Sequence, residues 1–105
     1  MKIKAWNNGK YNKSGAGYGL KLSMEDRNKY FKRLWKSVFI KLPNEDEMVE
    51  CNIDKDSFWN ETCGELISKK IGQWLLKNNY ATWKKGQPLV FKLKSLKDNI
   101  FILYR

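Results

Sequence analysis

The feature that most constrains this chain is a recurring period-two pattern, in short runs that are too brief to form long helices. In Lys2–Trp6, Ile3 and Ala5 alternate with Lys2, Lys4 and Trp6; in Tyr18–Leu22, Tyr18, Leu20 and Leu22 alternate with Gly19 and Lys21. Val38, Ile40 and Leu42 alternate with Ser37, Phe39 and Lys41, and Val49, Cys51 and Ile53 with Met48, Glu50 and Asn52. Leu89, Phe91 and Leu93 alternate with Val90, Lys92 and Lys94, and Ile100–Tyr104 is an apolar run of strand length. Successive side chains of a strand point to opposite faces, so each run predicts a strand with one apolar side. Turn residues separate them: Asn8-Gly9, Gly15-Ala16-Gly17, Pro43-Asn44-Glu45-Asp46 and Leu96–Asn99.

Two stretches break the alternation. Ser23 is followed by Glu25 and Asp26, a hydroxyl cap and first-turn acids, which predicts a helix to about Trp35. That helix would bury the stem of Arg27 with Tyr30, Phe31 and Leu34. Thr62 and Glu65 have capping-box spacing, and Leu66, Ile67, Ile71, Trp74 and Leu75 then share one face of a second helix. Asn78-Asn79 would end it. Gly72 in its interior costs about 1 kcal/mol against Ala, which close packing on a neighbour would explain. Between the elements, Asp54–Asn60 is a connector that delivers Phe58 and Trp59 inward.

The expected architecture is one basic α+β domain over residues 1–105. It is a mostly antiparallel sheet or half-open barrel of about six strands with two helices, in the order β-β-α-β-β-α-β-β. A chain of 105 residues can bury one core without staples.

Charge is unevenly spread. Residues 1–42 carry eleven Lys or Arg against Glu25 and Asp26, and residues 66–105 carry nine against Asp98. Between them, residues 43–65 carry only Lys55 against eight acids. The formal net charge is +10. Such a balance points to anionic partners and governs association rather than fold.

Several chemistries are set aside. There is no His, and Cys51 and Cys63 lack CxxC spacing, so neither a metal site, a disulfide framework nor cysteine catalysis is expected. No cofactor is expected. Gly15-Ala16-Gly17-Tyr18-Gly19 leads into a strand and lacks phosphate-loop spacing; a bulge or a close backbone approach explains it better. No apolar stretch reaches the length of a membrane span and no signal-peptide pattern is present, which favours a cytoplasmic protein with no membrane partner.

The remaining signal is a basic, aromatic-interleaved surface. Lys4, Lys21, Lys41, Lys92 and Lys94 fall on the alternate face of their strands, with Trp6, Phe39 and Tyr104. Trp83-Lys84-Lys85-Gly86 forms a second patch and Lys10, Tyr11 and Lys13 a third. Lysines meet phosphates and aromatic rings stack on bases. A solvated sheet face with snorkelling lysine stems is the plain alternative.

Taken together, Gly15–Leu20, Asp26-Arg27 with Tyr30-Phe31 and Trp35, Phe58-Trp59 with Cys63 and Glu65-Leu66, Ile71–Leu75, and Trp83–Pro88 resemble a group of small uncharacterised bacterial proteins. That resemblance implies no activity. The stretch Trp83–Leu93, a Lys-Gly loop before an apolar strand, is similar to the end of B3-type DNA-binding pseudobarrels. The similarity implies a barrel of short strands with two short helices that reads DNA through basic loops.

The expectation is therefore a non-enzymatic nucleic-acid-binding module. Lys10, Lys13, Lys21, Lys41, Lys84, Lys85, Lys92 and Lys94 would meet phosphates, and Tyr11, Trp6 or Trp83 would stack. The rival is a protein-interaction or inhibitor module for an acidic protein. A carboxylate-metal nuclease using Asp54, Asp56 and Glu50 ranks third.

Overall fold

Each alternating run becomes a strand, and one further strand joins them. The computed structural model describes residues 1–105. Its elements are β1 (Lys2–Asn7), β2 (Tyr18–Ser23), α1 (Met24–Tyr30), β3 (Ser37–Lys41), β4 (Val49–Asn52), β5 (Cys63–Ile67), α2 (Lys69–Lys77), β6 (Val90–Lys97) and β7 (Ile100–Tyr104). The seven strands form one sheet in the order β4-β3-β7-β6-β1-β2-β5. Every pairing is antiparallel except β3 with β7, where Ile40 lies beside Phe101. The sheet curls until its edge strands β4 and β5 approach one another. The result is an α+β fold built on a nearly closed, mixed barrel.

The inward residues of the alternation fill this barrel. Ile3, Leu20, Val38, Ile40, Leu66, Phe91, Leu93 and Phe101 are fully buried. The two helices cover its ends. On α2, Ile71, Trp74 and Leu75 face inward; the Trp74 ring lies 5.5 Å from Phe91, and its Nε1 donates to the Pro43 carbonyl at 3.2 Å. At the opposite end, Phe31 stacks on Phe101 at 4.7 Å and meets Phe58 at 5.5 Å. The connector after β4 thus delivers Phe58 into the core, while Trp59 is half-buried.

Four sequence expectations change. The capping box at Thr62 and Glu65 does not form. Thr62 Oγ1 instead donates to Asn60 Oδ1 at 2.8 Å, and Glu65 lies in β5 opposite Lys21. Residues 63–67 complete the hydrogen bonding of the free edge of β2, and this pairing overrides a helix signal carried by four residues. Leu66 therefore points in and Ile67 out, where the helical reading placed them on one face. The helix begins later, with Ser68 Oγ accepting from the Lys70 N–H at 3.2 Å.

The first helix stops at Tyr30 rather than near Trp35. Phe31 takes extended backbone (φ −114°, ψ 141°), and its ring turns onto Phe101. Aromatic burial outweighs another helical turn, so Leu34 is 94% exposed and Tyr30 is also on the surface. Arg27 is buried as expected. The last hairpin is longer than its sequence predicts. Strand β6 starts one residue late, runs through Lys97 with a bulge near Ser95, and turns at Asp98, whose φ is +48°.

Candidate nucleic-acid interface

The outward residues of the alternation carry the charge. Cross-strand partners share a face, and register sets Lys4 directly opposite Lys21, and Lys2 directly opposite Lys92. Like charges so placed destabilise a sheet. Lys94 lies opposite Ile102 and Lys92 opposite Tyr104, while Lys41 pairs with Ile102 from the other side. The lysines thus form a belt over β2, β1, β6 and β3. Acids appear on this face only near its margins, as Glu65 opposite Lys21 and Glu50 opposite Phe39.

Part of this belt is the floor of a groove of about 720 Å³. Lys2, Lys4 and Trp6 line it along β1, Lys21 along β2, and Lys85 and Pro88 from the loop before β6. With strands rising about 3.3 Å per residue, it follows β1 for roughly 17 Å. The volume falls within the range of small-molecule and cofactor clefts.

One end of the groove is aromatic. Tyr11 and Trp83 both line it, with ring centroids 6.2 Å apart in an edge-on arrangement. Beneath them is Tyr18, 6.2 Å from Tyr11 and 6.1 Å from Trp83. The Tyr18 hydroxyl is buried without a hydrogen-bond partner. Its burial, and secondarily the neighbouring Tyr11, raises its pKa. This aromatic cluster ties the β1–β2 loop, which carries Lys10 and Lys13, to the loop that carries Lys84 and Lys85.

The other end is built by α1 and the start of β5, where Asp26, Thr62 and Cys63 reach the groove. Arg27 positions this end. Its Nη1 donates to the carbonyl oxygens of Phe58 (2.9 Å), Asn60 (2.6 Å) and Cys63 (3.1 Å), and its Nε to Asn28 Oδ1 (3.1 Å). The guanidinium also stands 5.4 Å from the Trp59 ring centroid. No carboxylate pairs with it; carbonyl dipoles and the Trp59 ring hold the charge, and desolvation lowers its pKa. One buried cation therefore fixes the connector to α1 and sets where β5 begins.

Of the residues expected from sequence, Lys4, Trp6, Tyr11, Lys21, Trp83 and Lys85 line the groove. Lys41, Lys92 and Lys94 lie on the same outer face beyond it, whereas Lys10, Lys13 and Lys84 are exposed on the adjoining loops. Lys2 and Asp26 are additions. Lys2 has the same alternation as Lys4, so its place was legible, but nothing in the sequence separates Asp26 from an ordinary first-turn acid.

Apart from Glu50 and Glu65 at the margins of this face, the acidic middle of the chain lies elsewhere. Glu45 contacts Lys77 on α2 at 3.8 Å, and Asp56 contacts Arg33 at 3.5 Å. Glu50, Asp54 and Asp56 do not gather into a group of metal-ligand geometry. Both cysteines are buried and unpaired with each other, and burial pushes the Cys51 thiol up to about 12. No helix is long and apolar enough to cross a membrane. Comparisons with protein families, curated proteins and solved structures find no match to this chain.

Proposed function

We propose that this protein is a non-enzymatic nucleic-acid-binding module whose contact surface is the lysine belt and the aromatic-ended groove along β1 and β2. The observation that carries the reading is the direct opposition of Lys4 to Lys21, and of Lys2 to Lys92, on the floor and margin of that groove. A face kept only for solubility has no need to set like charges in register, where each pair costs stability. A polyanion laid along the strands removes the cost, because its phosphates neutralise the facing lysines, and each phosphate so met also releases condensed counterions. Tyr11, Trp6 and Trp83 supply ring faces at the same groove, on which bases stack.

The test is a binding titration with DNA and RNA, single- and double-stranded, at 50 and 200 mM salt. Four lysines meeting phosphates predict a loss of roughly 50- to 150-fold in affinity between these two conditions. Lys84→Glu with Lys85→Glu weakens binding and leaves the melting curve in place. Absence of binding to every nucleic acid, together with salt-sensitive binding to an acidic protein, would replace this reading with the protein-interaction one.

A further inference from the structure

We infer that Asp26 is a base-reading residue, one that makes binding in the groove depend on sequence by accepting a hydrogen bond from a base amino group; the inference rests on the nucleic-acid reading above. Asp26 is the one carboxylate among the residues lining the groove, which otherwise presents Lys2, Lys4, Lys21 and Lys85. It is half-buried. No lysine or arginine lies within ion-pair distance of it, and no side chain donates to it. Its backbone N–H is taken up by Ser23 Oγ at 3.1 Å, which fixes the residue in the first turn of α1 and leaves the carboxylate unengaged.

Two roles compete for such a group. As a first-turn acid it complements the positive helix end, but the neighbouring Glu25 already does so from an exposed position. A carboxylate in a phosphate-binding groove is otherwise a defect, since it repels the ligand that the four lysines attract. That repulsion is informative about orientation. Phosphates are held to the lysine floor, and the Asp26 end is left to whatever part of the ligand carries N–H donors. In DNA those donors are on the bases. An aspartate accepts from cytosine N4, and a base without an amino group at that place loses the hydrogen bond.

The experiment is selection from a pool of randomised DNA, with wild type, Asp26→Ala and Asp26→Asn, followed by affinities for the enriched sequence and its single-base variants. Wild type is expected to enrich an amino-bearing base, cytosine foremost, at one position, and to bind the substituted site about tenfold more weakly. Asp26→Ala is expected to lose preference at that position alone and to bind the unselected pool more tightly than wild type, because the repulsion between carboxylate and phosphates is gone. Asp26→Asn, which both donates and accepts, is expected to shift the preference toward adenine. Equal binding of all sequences by wild type, or an unchanged preference in Asp26→Ala, overturns the inference and leaves the groove as a sequence-neutral binder. If wild type binds neither DNA nor RNA, the nucleic-acid reading falls, and this inference falls with it; binding to RNA alone overturns this inference and leaves that reading standing. Melting curves of both variants separate a lost contact from a lost fold.

Discussion

Gly15 and Gly72 meet backbone to backbone. A Cβ on Gly72 would collide with the Gly15 carbonyl, and one on Gly15 would stand 2.6 Å from the Lys69 carbonyl oxygen and 2.7 Å from the Gln73 amide. Gly15 has φ +90°, which few side chains tolerate. The pair docks the β1–β2 loop on α2 and so holds Tyr11 at the groove. Gly72→Ala should therefore destabilise the protein by about 2 kcal/mol, although Ala is the better helix former by about 1 kcal/mol. Denaturant unfolding measures this; a gain in stability would show that the contact is loose.

Arg27 should tolerate no truncation. Arg27→Ala leaves the carbonyls of Phe58, Asn60 and Cys63 without their donor, and should cost about 3 kcal/mol. Arg27→Lys should recover part of this and lose the planar contact to Trp59. Unfolding midpoints of the two variants rank the terms. Equal losses would mean that a positive charge alone recovers nothing and that the guanidinium geometry carries the whole effect.

Tyr18→Phe should be neutral or stabilise by up to about 1 kcal/mol, because it removes a buried hydroxyl that has no partner and leaves the ring against Tyr11 and Trp83. A loss of more than that in thermal or denaturant unfolding would reveal a hydrogen bond to the hydroxyl.

Cys51 links stability to alkaline pH. Its ordinary value is 9.0, and burial raises it to about 12 in the folded chain. Below the lower value both states keep the proton, and stability is undiminished. Between the two values only the unfolded chain releases it, so stability falls as pH rises, by at most about 1.4 kcal/mol per unit. Cys51→Ala should remove this component of the slope. An unaltered slope in that variant would assign the decline to other groups.

Lys4→Gln separates function from solubility. It relieves the repulsion with Lys21 and should raise stability by a few tenths of a kcal/mol, while weakening nucleic-acid binding by roughly 3-fold at physiological salt. Unfolding and binding measured on the same preparation decide it. A variant that loses stability and keeps its affinity would make the belt a solvated face.

Much of the fold was legible because strand patterning is local. Ile3, Leu20, Ile40, Phe91 and Leu93 went to the core and Lys4, Lys21, Lys92 and Lys94 to the surface by alternation alone. Gly72 likewise announced a close neighbour, though not which one. The failures lie where distant partners decide. Residues 63–67 have a helix-start signal, but β2 offers them an open edge, and a ladder of hydrogen bonds outweighs one cap. Leu34 looked like the continuation of an apolar helical face, yet Phe31 found Phe101 first.

The proposed binding surface divides in the same way. Alternation by itself determined that lysines would occupy one side of the strands, since each side chain's direction depends only on its place in its own strand. Which lysines face one another depends on strand order and register, and these are settled by pairings across long stretches of chain. Only the folded sheet put Lys4 against Lys21, brought Trp83 to Tyr11, and left Asp26 alone among cations.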